Sequence, residues 1–501
     1  MLDLIAVGFQ AVLNPLCIMA IFGGTILGII FGAIPGLSAT MAIALCLPLT
    51  YSMDHITGMA LLIGLYIGGI SGGLVSAILL HIPGTPSSVA TCFDGHPLAA
   101  KGEAGKALGV GIFFSFLGTI FGVAALVGIA PALAKVALSF SSYEYFSVGV
   151  FSITMMCALI SGNIVKGLIS GFIGLTIALI GPGRIDGLPR LTFGFHQLDA
   201  GFDILPLLIG LFAVSEVLQE ATKKGEPKEE MIQNWKIKGL GFSWKEFASQ
   251  IPNFIRSALI GLGIGILPGI GGGTSNILAY TVAKNSDKHP ERFGTGVIDG
   301  IVASETANNA TIGGALIPLL TLGIPGDAVT ALLLGSLMVH GLTPGPLLFT
   351  NNGPFVYSIF ASALVSNFMM LLSMYLGIRL FARVLTVPKY ILLPIIMVLC
   401  CVGAYGLNSR VFDICAVLAF GLLAFALQKG QFPTAPIILG FVLGPMIETN
   451  LLRGMNQSQG SFAPFLTRPI SAAFLLIAAV VIVWSVLKEF RRYRTGKTAQ
   501  R

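Results

Sequence analysis

The chain has 501 residues, 55% of them hydrophobic and only 10% charged, with a mean hydropathy of +0.88 and a formal net charge of +7. Soluble domains carry about 25% charged residues, so this inventory excludes a water-covered surface and predicts an all-α polytopic membrane protein. The basic residues collect at the ends of apolar segments, which reads as membrane topology and excludes a nucleic-acid surface.

Along the chain, no Lys or Arg precedes Lys101, so no cleaved signal peptide is expected. Residues 16–50 are apolar but broken at Gly32-Ala33-Ile34-Pro35-Gly36-Leu37. Runs of spanning length follow at 57–80, 107–134, 144–162, 166–182 and 203–222. The charged stretch from Lys223 to Lys245, with Lys224, Lys228, Lys236 and Lys238, reads as a cytoplasmic linker. A second broken apolar segment covers 251–284. Further spans run near 295–322, 355–378, 390–406, 411–428, 432–448 and 467–487. The tail from Lys488, with Arg491, Arg492, Arg494, Lys497 and Arg501, reads as cytoplasmic. The seven cysteines lie in or beside apolar stretches, without metal-ligand spacing, and read as packing residues.

The two halves repeat. Gly32 to Leu37 returns as Gly265-Ile266-Leu267-Pro268-Gly269-Ile270, and Gly72 with Ile82-Pro83-Gly84 returns as Gly314 with Ile324-Pro325-Gly326. The offset is 233 from Pro35 to Pro268 and 242 from Pro83 to Pro325, so nine residues are inserted in the second half, near Lys284 to Phe293. Basic residues fall on opposite sides of corresponding motifs. The link Tyr51 to Thr57 has none, whereas its counterpart has Lys284, Lys288 and Arg292; Lys101 and Lys106 follow the first Pro-Gly motif, whereas none lies between His340 and Tyr357. Opposite bias predicts inverted repeats, with a periplasmic N-terminus and a cytoplasmic C-terminus. Lys135, Arg184, Arg190, Arg410, Arg453 and Arg468 fall outside and run against the bias. The expected organisation is a first repeat over 1–222, a linker over 223–250, a second repeat over 251–487 and a basic tail over 488–501, with about eleven spanning helices and two broken or re-entrant hairpins.

A helix interrupted inside hydrocarbon leaves backbone groups unpaired, and such breaks persist only where protein, water, ion or substrate satisfies them. Matched breaks in two repeats point to a transporter's binding site. Here small and hydroxyl residues open each new helical stretch: Gly36, Ser38 and Thr40; Gly84, Thr85, Ser87 and Ser88; Gly272, Gly273, Thr274 and Ser275; and Pro325-Gly326-Asp327. Free N–H groups at a helix start, with hydroxyls, suit a carboxylate without any Lys or Arg. Packing glycines and ordinary N-caps are the competing account. Asp327, Asn276 and Glu305 are the candidate oxygen donors for a coupling cation, sodium or proton, with Asp327 equally readable as a helix cap. Asp94 reads as a structural turn, Glu448 and Asn450 as edge residues, and His81 and His96 as structural hydrogen-bonders.

The run from Gly72 to Ser88, its continuation Val89 to Ala99, and the motifs Gly32 to Leu37 and Pro268 to Gly273 resemble the large membrane subunit of the tripartite tricarboxylate transporters, the TctA family. The likeness covers essentially the whole chain. Two positions depart from the usual pattern: Ser71, where the family often has Tyr, and His81, where it often has Asn. The resemblance implies a bacterial inner-membrane subunit that works with a small membrane subunit and a periplasmic solute-binding protein. It also implies cation-driven uptake of small organic anions without ATP or a resident cofactor. A related dicarboxylate carrier and a non-transporting scaffold are the alternatives; an intramembrane enzyme would need a catalytic pair that the sequence lacks.

Overall fold

The computed structural model describes residues 2–160, 163–223, 232, 236–237, 239–385 and 387–494. The predicted linker residues Lys224, Lys228 and Lys238, and the tail residues Lys497 and Arg501, lie outside the described residues. The chain is a multi-pass helical protein. Its helices are α1 (Leu2–Val12), α2 (Pro15–Ala33), α3 (Ala39–Cys46), α4 (His55–Leu80), α5 (Val89–Leu98), α6 (Ala104–Ala137), α7 (Ser142–Ile160), α8 (Ile164–Ala178), α9 (Ile204–Leu208) and α10 (Ser215–Thr222). There follow α11 (Trp244–Ile266), α12 (Gly271–Ser286), α13 (Ile298–Leu322), α14 (Ala328–Val339), α15 (Pro346–Asn351), α16 (Gly353–Val384) and α17 (Lys389–Asn408). The last are α18 (Val411–Lys429), α19 (Ala435–Gln457), α20 (Ala463–Thr467) and α21 (Pro469–Arg494).

Nine helical stretches among the described residues are long and apolar enough to cross a membrane. The sequence led to an expectation of about eleven, and the difference has a physical origin. Helix α8 has 15 residues and is a short apolar helix, and α7, which opens on the polar Ser142-Tyr143-Glu144, is also not among the nine. Helix α13 carries Ser304, Glu305, Thr306, Asn308, Asn309 and Thr311 in its centre, all buried. Its polar content is spent inside the protein and lowers its hydropathy. Conversely, α2 qualifies as a full span, although its segment read as part of a hairpin.

The described residues form two compact units. One comprises Met1–Ala134 and Phe212–Ser409, the other Lys135–Leu211 and Arg410–Arg501. Each unit therefore draws on both halves of the sequence.

Within the first unit, α2 packs on α4 through glycines spaced four apart. Gly24, Gly28 and Gly32 lie against the carbonyls of Leu61, Leu65 and Gly69, leaving no space for a Cβ. Gly261 and Gly265 of α11 lie in the same way against Ala307 and Thr311 of α13. Small residues let helix backbones approach this closely, and in a membrane that contact replaces the hydrophobic driving force of water. Gly84 backs onto the Gly32 carbonyl as Gly326 backs onto that of Gly265.

The helix breaks have local causes. Helix α2 ends at Pro35-Gly36, where Gly36 takes φ +88°, and Ser38 caps α3 by accepting from the Met41 N–H at 3.1 Å. Helix α11 ends at Pro268-Gly269, where Gly269 takes φ +81°. Helix α4 stops at His81, held left-handed at φ +56°, and α13 stops at Gly323, at φ +71°. His tolerates that region better than most side chains. The His81 ring stacks on His96, with centroids 4.6 Å apart. At the charged end of α11, Lys106 and then the Ser243 backbone N–H hold the Glu246 carboxyl down to about 2. The Lys106 ammonium lies 2.6 Å from it, tying α6 to α11.

In the second unit, charges pair across helices and loops. Arg190 forms a two-pronged pair with Glu448, both contacts at 2.6 Å. Arg410 lies 2.7 Å from Asp203 and 3.1 Å from Asp413, and Arg468 lies 2.8 Å from Glu144.

Candidate anion site at the helix breaks

Helix α12 opens on Gly271-Gly272-Gly273, and no side chain caps it. Its first N–H groups have no acceptor within the helix. The turn Thr85–Ser88 lies directly opposite. A Cβ on Gly273 would sit 3.3 Å from the Pro86 carbonyl, and one on Gly272 would sit 3.0 Å from the Ser87 hydroxyl and 2.5 Å from Asn308 Oδ1. Together the helix start, the turn and Asn308 form a cradle, in which the glycines let the three approach closely. The Asn308 side chain is buried, yet among the described residues neither Oδ1 nor Nδ2 has a hydrogen-bond partner, and neither does the buried Thr306 hydroxyl. Buried polar groups are nearly always satisfied, so an orphaned amide at an uncapped helix start marks a place for a polar guest. Its Nδ2 donates, its Oδ1 accepts, and the helix start favours negative charge.

The other sequence-predicted residues divide among distinct roles. Around the cradle, Ser88 accepts from the Thr85 N–H at 3.3 Å and donates to its carbonyl at 2.9 Å. Ser275 donates to the Gly272 carbonyl at 3.0 Å and accepts from Thr311 at 2.8 Å, whereas Thr274 is exposed. Asn276 caps the start of α5, accepting from the Ala90 N–H at 2.7 Å. Gly84 is a packing contact against α2.

Asp327 has the geometry of a helix cap. Its Oδ1 accepts from the Thr330 N–H and hydroxyl, both at 2.7 Å, and its Oδ2 accepts from the Tyr66 hydroxyl at 2.6 Å. Thr330 in turn accepts from the Asp327 N–H at 2.8 Å and donates to its carbonyl at 2.9 Å. Asp94 is fully buried; its Oδ1 accepts from the N–H groups of Gly294, Gly296 and Val297 at 2.8–3.0 Å, and its Oδ2 from the Tyr280 hydroxyl at 2.9 Å. Glu305, also fully buried, accepts from the Thr91 hydroxyl at 2.5 Å and the Ser115 hydroxyl at 2.8 Å.

Gly36, Ser38 and Thr40 meet a group that the sequence reading did not single out. The Ser38 hydroxyl donates to Glu216 at 2.7 Å and lies 2.6 Å from that of Thr40. The Gly36 Cα faces the Glu220 carboxylate, which pairs with Lys223 and, at 2.7 Å, with Lys389. The first break is thus clasped by two carboxylates of α10. The available signal was an acidic pair inside the apolar run 203–222, since intramembrane acids are costly and mark functional positions.

The family model for the Tripartite tricarboxylate transporter TctA family matches residues 18–439. The chain belongs to the TctA family. It is thereby a membrane component of a transport system and not an enzyme. The TctA assignment is joined by similarity to an uncharacterized 52.8 kDa protein in the TAR-I ttuC' 3' region of Agrobacterium vitis, 35% identical over 497 residues, 99% of this chain and 98% of that protein. A second uncharacterized protein, in the TAR-II ttuC' 3' region of the same organism, is 37% identical over 231 residues, 46% of this chain and 96% of that protein. No solved structure matches this TctA chain.

Proposed function

We propose that the chain is the large membrane subunit of a three-component, binding-protein-dependent secondary carrier. It takes up tricarboxylates or related organic acids, driven by a cation gradient, sodium or proton. Its partners are a periplasmic solute-binding protein and a small membrane subunit in the bacterial inner membrane. The observation that carries this reading is the orphaned Asn308 amide beneath the uncapped start of α12, facing Ser87. A substrate carboxylate takes the N–H donors, and a substrate hydroxyl or water takes Oδ1. Thr85, Ser87, Ser88, Gly272, Gly273 and Asn308 form the anion site.

The test starts from the co-purified periplasmic partner, whose bound acid is identified by mass spectrometry and then supplied to reconstituted vesicles. A hydrogen bond to a charged group contributes about 1.5–3 kcal/mol, so Asn308→Ala should lower uptake at limiting substrate by about tenfold or more. Unchanged uptake at normal expression would remove the site.

Two inverted repeats, each with a re-entrant hairpin, complete the proposal. The repeats are supported by contacts that recur at the sequence offsets: Gly28 on Leu65 matches Gly261 on Ala307, Gly72 on Ile29 matches Gly314 on Leu262, and Thr85 with Ser88 matches Asp327 with Thr330. A periplasmic N-terminus and a cytoplasmic C-terminus follow from the basic bias. Three of the residues that run against this bias, Arg190, Arg410 and Arg468, are the ones paired with Glu448, Asp203 and Glu144, so much of their charge is compensated locally. A cysteine at Lys236 in a Cys-free background should react with permeant reagents only; labelling by an impermeant reagent from the periplasm refutes this orientation.

A further inference from the structure

We propose that Glu305 carries the coupling proton of this carrier; the assignment rests on the uptake reading above and names its driving ion. The contrast with Asp94 is the starting point. Both carboxylates are fully buried, and neither has a Lys, Arg or His partner among the described residues. Asp94 receives three backbone N–H groups, which donate and can never accept. That cage is built for a fixed anion. Glu305 receives only hydroxyls, apart from the Asn309 amide at 3.5 Å. A hydroxyl both donates and accepts, so it serves either protonation state.

The hydrogen bonds close in both states. With Glu305 ionised, Thr91 donates to Oε1 and Ser115 to Oε2. With a proton on Oε1, that O–H donates to Thr91 Oγ1, and Thr91 turns to donate to Ser304 Oγ, 3.2 Å away. Ser304 already donates to the Ile301 carbonyl at 3.1 Å. No donor is stranded in either state. The step is a bare protonation: the carboxylate gains one proton from the side to which it is open, loses its charge, and returns the proton on the other side. An uncompensated buried charge is costly in a membrane, and the proton removes it.

The position links this proton to the anion site. Thr91 stands on α5, three residues beyond Ser88 of the cradle turn, and Asn308 stands three residues beyond Glu305 on α13. Protonation therefore changes a contact between α13, which carries Asn308 of the cradle, and α5, which continues its Thr85–Ser88 turn. Other titratable groups on the packed elements are occupied or apart. Asp94 on α5 is caged, and His96 bonds the Ile78 carbonyl. On α4, Tyr66 bonds Asp327 and His55 lies against Phe355. On α12, Tyr280 bonds Asp94, while Lys284 lies in the last turn. On α11, Glu246 pairs with Lys106 and Arg256 bonds Asn253. Asp299 on α13 itself bonds Gln250.

The full three-component system in sodium-free vesicles gives two readouts: exchange of carboxylate at equal pH, and net accumulation under an acid-outside gradient. Wild type should do both. Glu305→Gln, neutral and nearly isosteric, should keep exchange and lose gradient-driven accumulation, and the infrared carbonyl band of a protonated carboxylic acid should vanish with it. Gradient-driven accumulation that persists in Glu305→Gln overturns the assignment, as does a wild type that accumulates only with sodium. Should the Gln variant fail to insert, Thr91→Val keeps the carboxyl and removes the relay; it should shift the pH of half-maximal uptake, and an unmoved midpoint overturns the proposal. A wild type that exchanges no carboxylate defeats the uptake reading itself, a separate failure.

Discussion

Gly272→Ala should abolish uptake while the protein folds and inserts normally. The added methyl would fall 2.5 Å from Asn308 Oδ1 and 3.0 Å from Ser87 Oγ, filling the cradle between α12 and the Thr85–Ser88 turn. Gly272 lies in the first turn of α12 outside the positive-φ region, so the backbone accommodates alanine there. Its intrinsic helix preference over glycine, about 0.5–1 kcal/mol, offsets part of the crowding. A folding defect and a site defect are therefore separable: thermal unfolding in detergent should stay close to wild type while uptake falls to background. Full uptake at normal expression would mean that nothing binds in front of Asn308.

The largest loss of stability should come from Asp94→Ala. The substitution strands three backbone N–H groups of the 294–297 loop and the Tyr280 hydroxyl. Each bond to a charged acceptor contributes about 1.5–3 kcal/mol, and unmade buried donors cost a further penalty, so a loss of about 3 kcal/mol or more is expected. Asp94→Asn separates charge from shape. Its oxygen keeps the three N–H partners, its NH2 replaces Oδ2, and the Tyr280 oxygen turns to accept. It should be much milder than alanine in the same melting experiment. Equal damage from both would show that the negative charge, not the acceptor geometry, fixes the loop.

The spans were legible because run length and hydropathy are local properties, and ten of the predicted apolar stretches coincide with single helices such as α4 and α16. The breaks were legible because proline removes a donor and glycine reaches φ near +80°, as at Gly36 and Gly269. What stayed hidden depends on contacts between distant residues. Asn308 and Asn309 are neighbours of one type, yet Asn309 accepts from Ser71 at 2.8 Å whereas Asn308 has no hydrogen-bond partner among the described residues. Ser38 read as a ligand for substrate, but Glu216, 178 residues away, takes its hydroxyl. The division into two units was equally hidden, because each gathers segments from both halves.

The clasp on the first break differs in kind from the contacts of the second. Glu220 is held against Gly36 by Lys223 and Lys389, whose side chains are 50% and 40% exposed. The second break is held by the Gly269 N–H donating to the Gly326 carbonyl at 2.7 Å and by Asp327 packed on Gly271. Mobile ions screen exposed charge pairs over a Debye length of about 8 Å at physiological ionic strength, but they leave a buried peptide hydrogen bond untouched. Ionic strength therefore weakens the lysine clasp at the first break and spares the second, so the two breaks respond unequally to the same medium.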